Sequence, residues 1–172
     1  ELINLLPQET HGGSMRYVLA KEGSREVEDV VKKILSKEKE LGFHDLSLYE
    51  KFKENCEESK DKLLSSLEEF KHQGKVVAGY GATSKSTTIL NYCNIKSDLI
   101  SRIYDTTPQK IGKFSPGMHI PIIDYKYFKD SDCKNTFLFA WNHFNEIIEK
   151  EENYTKTQGK WITHVPKIGF IK

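Results

Sequence analysis

Cysteine is scarce in this chain and unpatterned. Cys56, Cys93 and Cys133 are odd in number, widely spaced and without a C-x-x-C pair, which argues against a disulfide framework or zinc site and for a reducing cytoplasm. No apolar stretch approaches the roughly 20 residues needed to cross a bilayer, and no signal peptide is visible, so no membrane partner is expected. Neither sign of charge dominates. A formal net charge of +1 removes the case for broad electrostatic binding of nucleic acid. An initiator methionine is also lacking, because the chain opens on Glu1, and the expectation is a piece of something longer. What is present, 172 residues at 37% hydrophobic and 30% charged, describes a soluble globular domain with an appended segment.

The most informative stretch is residues 75–91, KVVAGYGATSKSTTILN. Its apolar residues 76–78 enter a glycine turn that leads directly into a helix-like run, the local order of a phosphate or nucleotide site. Gly79 and Gly81 allow backbone angles and close approach that other residues forbid, while the free N–H groups of a first helical turn attract anions. Lys85 sits one turn into that helix, within reach of the same anion. Two signatures nearly fit. Gly79-Tyr80-Gly81 opens like a dinucleotide fingerprint, with Ser84 at the third glycine, and Asp105 lies 26 residues after Gly79, where a ribose-binding acid belongs. Residues 79–86 equally resemble a P-loop that lacks the glycine before its lysine. A tight turn with no ligand is the plain alternative. Against it stand Lys85 and the hydroxyls of Thr83, Ser84, Ser86 and Thr87.

Upstream, residues 14–20 form a strand candidate with no partner nearby in sequence, so it is expected to pair with something remote or absent. Residues 24–39 are helical in pattern, with Val27, Val30, Val31, Ile34 and Leu35 on one face. A second helix opens on a capping box of Ser47 and Glu50 and repeats Tyr49, Phe52, Cys56, Leu63, Leu67 and Phe70 before Gly74 stops it. Its Lys and Glu residues read as a solvated face. After Gly74, strands are expected at 76–80, 99–105, 136–141 and 160–165, and helices at 84–93, 124–128 and 144–151. The predicted fold is therefore a single α/β domain with a Rossmann-like parallel sheet over residues 24–172, flanked by two N-terminal helices and a leading strand, with residues 1–23 as a junction. Ligands collect outside the carboxyl ends of such strands. That rule gathers the Gly79 turn, Asp105 with its loop, Trp141-Asn142-His143 and the chain near His164 around one crevice.

Residues 106–122 carry Lys110, Lys113 and His119 between Pro108, Pro116 and Pro121. The loop is basic, restricted and too long for a simple connector, and is suited to closing over a diphosphate. Ordinary loop residues are the alternative reading.

Several separated motifs then carry a resemblance. GYGATSKSTTILNYCNI, the strand ending at Asp105, KIGK at 110–113 with SPGMHIPI at 115–122, and AWN at 140–142 with Glu146-Ile147 together resemble the C-terminal domain of bacterial sugar C-methyltransferases, over residues 11–165 and in the family's order. HGGSMR at 11–16 resembles the junction by which those enzymes leave a central methyltransferase domain. Many relatives carry Gly-Asn where this chain has Ser86-Thr87. The resemblance implies transfer of a methyl group from S-adenosylmethionine to a ring carbon of a nucleotide-linked 4-keto-6-deoxy sugar: the ketone acidifies the neighbouring C–H, a base removes the proton, and the enolate attacks the sulfonium methyl. It places the base, the cofactor site and the zinc in preceding domains of a longer cytoplasmic protein. For this chain it implies a substrate-holding domain with no catalytic residue, bound cofactor or zinc, and no methyltransferase activity in isolation. Its partners would be a nucleoside diphosphate-sugar and the preceding methyltransferase domain. The substrate-binding residues would be Gly79, Tyr80, Gly81, Thr83 and Lys85, with Asp105 near ribose or base, Lys110, Lys113 and His119 in the loop, and Trp141 and Asn142 at the crevice wall. His11 either faces the reaction centre of an intact enzyme or is structural.

Three other readings stay open on the residues alone: a small NAD-dependent oxidoreductase, a P-loop NTPase with Asp105 as its only obvious acid, and a non-catalytic interaction module built on the long helix.

Overall fold

The structure, a computed structural model, describes residues 1–131 and 133–171; the side chain of His11 lies outside the described residues. The chain divides into two compact units, Glu1–Asn55 and Cys56–Lys172. In the first, β1 (Leu2–Gln8) and β2 (Ser14–Leu19) pair antiparallel, and the helix α1 (Asp29–Glu40) packs on β1. Ile3, Leu5 and Val31 are buried there, and the Glu28 N–H donates to the Ile3 carbonyl at 2.9 Å. The partner of the 14–20 strand is thus the segment just before it, not a remote one. Pro7 hid that strand. Pro7 lies opposite Met15 in a two-stranded ribbon, where a missing N–H is tolerated on the outer side.

The helix α2 (Leu46–His72) runs from the first unit into the second and buries Leu63 and Leu67. The second unit is a six-stranded sheet. Its strands are β3 (Val77–Tyr80), β4 (Ile103–Asp105), β5 (Ile122–Asp124), β6 (Asn135–Leu138), β7 (Lys160–Thr163) and β8 (Gly169–Ile171), in the spatial order β5-β4-β3-β6-β7-β8. All pairs are parallel except β7 with β8. The helix α3 (Ser84–Tyr92) follows β3, while α4 (Phe144–Lys150) and α5 (Glu152–Lys156) link β6 to β7. The chain leaves β3 for β4 on one side and later returns to β6 on the other. The strand order therefore reverses between β3 and β6.

Strand alternation divides the core into two faces. Val77, Phe137, Phe139 and Ile162 lie with Leu63 and Leu67 of α2 and Leu90 of α3 on one; Ala78, Tyr80, Tyr104, Leu138 and Trp161 lie with Phe128 on the other. Several elements are shorter than their sequence patterns. Residues 99–101 are no strand because the Leu99 and Ile100 N–H groups turn back to the Lys96 carbonyl, and 124–128 tightens into the 3-10 turn Tyr125–Tyr127. Trp141 leaves the sheet for the 3-10 turn Trp141–His143.

Candidate functional site

Hydrogen-bond accounting at the glycine turn shows which groups remain for a ligand. The Gly79 N–H donates to the Arg102 carbonyl at 2.7 Å and that of Gly81 to Tyr104 at 2.8 Å. Ala82 donates to Asp105 Oδ2 at 2.6 Å, and Thr83 to the Gly81 carbonyl at 3.0 Å. Thr83 caps α3, its Oγ1 accepting from the Ser86 N–H at 3.1 Å. The N–H groups of Ser84 and Lys85 have no acceptor among the described residues, so the positive end of α3 stays open. Gly81 has φ 88°, which favours glycine.

Asp105 ends β4 with 7% of its surface exposed. Besides the Ala82 bond, its Oδ1 accepts from the Thr107 N–H at 2.7 Å. Lys110 Nζ stands 3.6 Å from Oδ2 and donates to the Ala82 carbonyl at 2.7 Å. Burial pushes this carboxyl up, but the bonds from Thr107 and Ala82 and the Lys110 charge outweigh it and hold the acid below its ordinary value. Asp105 and Lys110 thus staple the glycine turn to the loop after β4. The far end of that loop is also tied. Ser115 Oγ accepts from the Ile120 N–H at 3.0 Å, and Asn91 of α3 donates to the Pro116 carbonyl at 3.0 Å. Gly117, at φ 81°, lies so close to Asn91 that a Cβ would overlap the amide.

Between the first turn of α3 and this loop lies a cleft of about 300 Å³. Thr83, Ser84 and Thr87 form one wall, and Gln109, Lys110, Lys113 and Phe114 the other. Thr83, Lys110 and Lys113 are therefore brought together at one cleft. Lys85 stands apart, its Nζ 5.6 Å over the ring of Trp141, beside half-buried Asn142. The expected single crevice has two flanks, one holding the cleft and the other Lys85, Trp141 and Asn142. His119 is exposed at φ 54° and does not line the cleft. Gly79 sits inside the ladder, where a Cβ would lie 2.6 Å from the Phe139 ring. Gln109 and Phe114 were missed by the sequence reading; the one available signal was an aromatic residue inside a basic loop.

Tyr80 faces the opposite side of the sheet. Its hydroxyl donates to Glu151 Oε1 at 2.9 Å, to which Tyr125 also donates at 2.5 Å. Lys150 Nζ lies 3.9 Å over the Tyr125 ring. Burial first, then Glu151, pushes the Tyr80 hydroxyl far above its ordinary value and Tyr125 up to about 12. His164, just beyond β7, is buried, stacks on Phe137 at a centroid distance of 5.2 Å, and among the described residues has no hydrogen-bond partner for Nδ1. Burial lowers its pKa to about 4 and keeps it neutral. Among the described residues no cluster of three His, Cys, Asp or Glu stands ready for a metal, and no helix is long and apolar enough to cross a membrane.

Comparison with known proteins meets this geometry. The chain is 29% identical over 167 residues to the C-methyltransferase NovU of Streptomyces niveus, an alignment covering 96% of this chain and 40% of that protein. The chain thus spans well under half the length of the curated relative it matches. The family model of the C-methyltransferase C-terminal domain matches residues 9–166, and to that family the chain belongs.

Proposed function

We propose that this chain is the nucleotide-sugar-binding domain of a C-methyltransferase that uses S-adenosylmethionine on a nucleoside diphosphate 4-keto-6-deoxy sugar, working in a reducing cytoplasm. The observation that carries the reading is the cleft against the open amino end of α3, which Ser84, with its unpaired N–H, and Lys113 both line. The strand order supports it. Counted from β3, the sheet runs 3-2-1-4-5-6, the order of a doubly wound Rossmann sheet, and its switch point lies beside the glycine turn. In this arrangement the chain binds and orients the sugar nucleotide, while proton removal belongs to the methyltransferase domain that residues 1–23 would adjoin. Asp105 is a poor ribose-binding acid for S-adenosylmethionine, because it is 7% exposed and its oxygens already take N–H groups of Ala82 and Thr107 with Lys110 alongside. The same engagement disfavours NAD at this turn and Mg²⁺ at a P-loop.

The test is calorimetric titration of the chain with a nucleoside diphosphate-sugar, NAD, ATP and S-adenosylmethionine. Stoichiometric binding of the first alone is expected. Lys85→Ala should weaken it about ten- to a hundredfold, since charge-assisted phosphate contacts contribute roughly 1.5 to 3 kcal/mol. Loss of the contact between half-buried Lys85 and Trp141 should lower stability by no more than about 2 kcal/mol. Equal affinity of wild type and Lys85→Ala would reduce the glycine turn to a fold element.

A further inference from the structure

We infer that the nucleoside half of the ligand lies in the cleft on the β4 side of α3, with its base stacked on Phe114, and that the sugar leaves over the Lys85–Trp141 flank. The inference rests on the nucleotide-binding reading and adds a direction to it. The unpaired N–H groups of Ser84 and Lys85 at the amino end of α3 are the place for the diphosphate on this reading, since Ser84 lines the cleft while the Lys85 side chain lies over Trp141 on the other flank. A nucleotide-sugar bound across that helix end must place its base on one side and its sugar on the other.

The flanks differ in what they offer. The β4 side is concave, and its volume of about 300 Å³ stands at the lower bound of small-molecule pockets. Its lining combines apolar surface with uncommitted polar groups. Phe114 keeps 59% of its surface exposed at the cleft wall although its backbone bridges to Pro121, so the ring is held by a fixed backbone and left bare. Beside it, the Gln109 amide and the Lys113 ammonium have no hydrogen-bond or ion-pair partner among the described residues. An exposed aromatic face next to an unpaired amide matches a heterocyclic base, which stacks through its π-face and offers donors and acceptors at its edge. The opposite flank lacks this combination. Its ring, Trp141, already has the Lys85 ammonium 5.6 Å over its face. A cation beside an indole suits the hydroxyl and carbonyl oxygens of a sugar rather than another π-face.

Phe114 is thereby a specificity-determining contact to the nucleoside and makes none to the phosphates. The experiment compares inorganic pyrophosphate with uridine diphosphate on the intact chain by calorimetry. Wild type should bind uridine diphosphate more tightly than pyrophosphate, by about five- to a hundredfold, the range of one base stacked on an aromatic ring. Phe114→Ala should bring uridine diphosphate down to the pyrophosphate level and leave pyrophosphate unchanged, and Phe114→Trp should restore the difference. A melting temperature near wild type checks the fold. Should the ratio survive Phe114→Ala, or collapse in Trp141→Ala instead, the direction is wrong while nucleotide binding stands. If wild type binds neither probe, the nucleotide-binding reading itself falls, and this inference with it.

Discussion

Phe139 occupies the space that a side chain on residue 79 would need. Gly79→Ala should therefore destabilise the fold by roughly 1 to 3 kcal/mol, the range for an overpacked core, visible as a lowered denaturant midpoint. Because that Cβ would meet a ring beneath the sheet, the affinity of the folded protein for nucleotide should hardly change. Thr83 acts at the opposite end of the turn. Replacing this cap by Ala should lower stability by about 1 kcal/mol, and Thr83→Ser should recover most of it on thermal melting. The turn at Gly81 was legible because turn chemistry is local, whereas Thr83, read as a phosphate contact, is seen here as the cap of α3. The tie between Asp105 and Ala82 was not legible, because it exists only once β3 and β4 pair in parallel, with Tyr80 opposite Tyr104. A spacing of 26 residues fits a ribose acid and a backbone staple equally well.

At the scale of elements, the carboxylate of Glu151 between α4 and α5 helps fasten both helices to the sheet, beside the bonds of Tyr154 to Thr136 and of Trp161 to Thr155. Glu151 is 4% exposed and receives the Tyr80 and Tyr125 hydroxyls. Tyr80→Phe removes one of those donors from a buried acid and should lower stability by about 1 to 3 kcal/mol. Nucleotide affinity should stay within error, since Tyr80 points to the face away from the cleft; a clear loss of affinity would return Tyr80 to the binding site. The longer elements, α2, α3, β3 and β7, were visible as periodic or apolar runs. β5 and β8 have three residues each, too few to display alternation, and only their neighbours in the sheet define them.

For the whole molecule, the buried neutral His164 sets an acid limit. The unfolded chain binds its proton near pH 6.5, whereas the folded chain resists until about pH 4. Its contribution is therefore complete above pH 6.5 and is lost as the pH falls from 6.5 to 4, a change on the order of 3 kcal/mol. Urea midpoints measured across that interval should fall in wild type and flatten in His164→Leu. Asp105, whose pKa is lowered, gives stability that disappears only below the ordinary carboxylate range, so the two effects separate on the pH axis. The sheet order was not legible from the sequence, because the return from β5 to β6 passes through no long helix whose pattern would announce it. The expectation of a parallel sheet was nonetheless readable from the recurring alternation of apolar and helical runs after Gly74.

One rod carries both jaws of the cleft. Thr83 at its head shapes the amino end of α3, and Asn91 in its last turn grips the opposing loop at Pro116. The gape is therefore calibrated by nine helical residues, about 13 Å of rise. Deleting one residue between Thr87 and Asn91 would swing Asn91 by about 100° and release the loop while leaving the cleft-lining first turn in place. The separation of these two residues is a gauge length, and lineages that lengthen or trim the loop elsewhere should keep that interval constant.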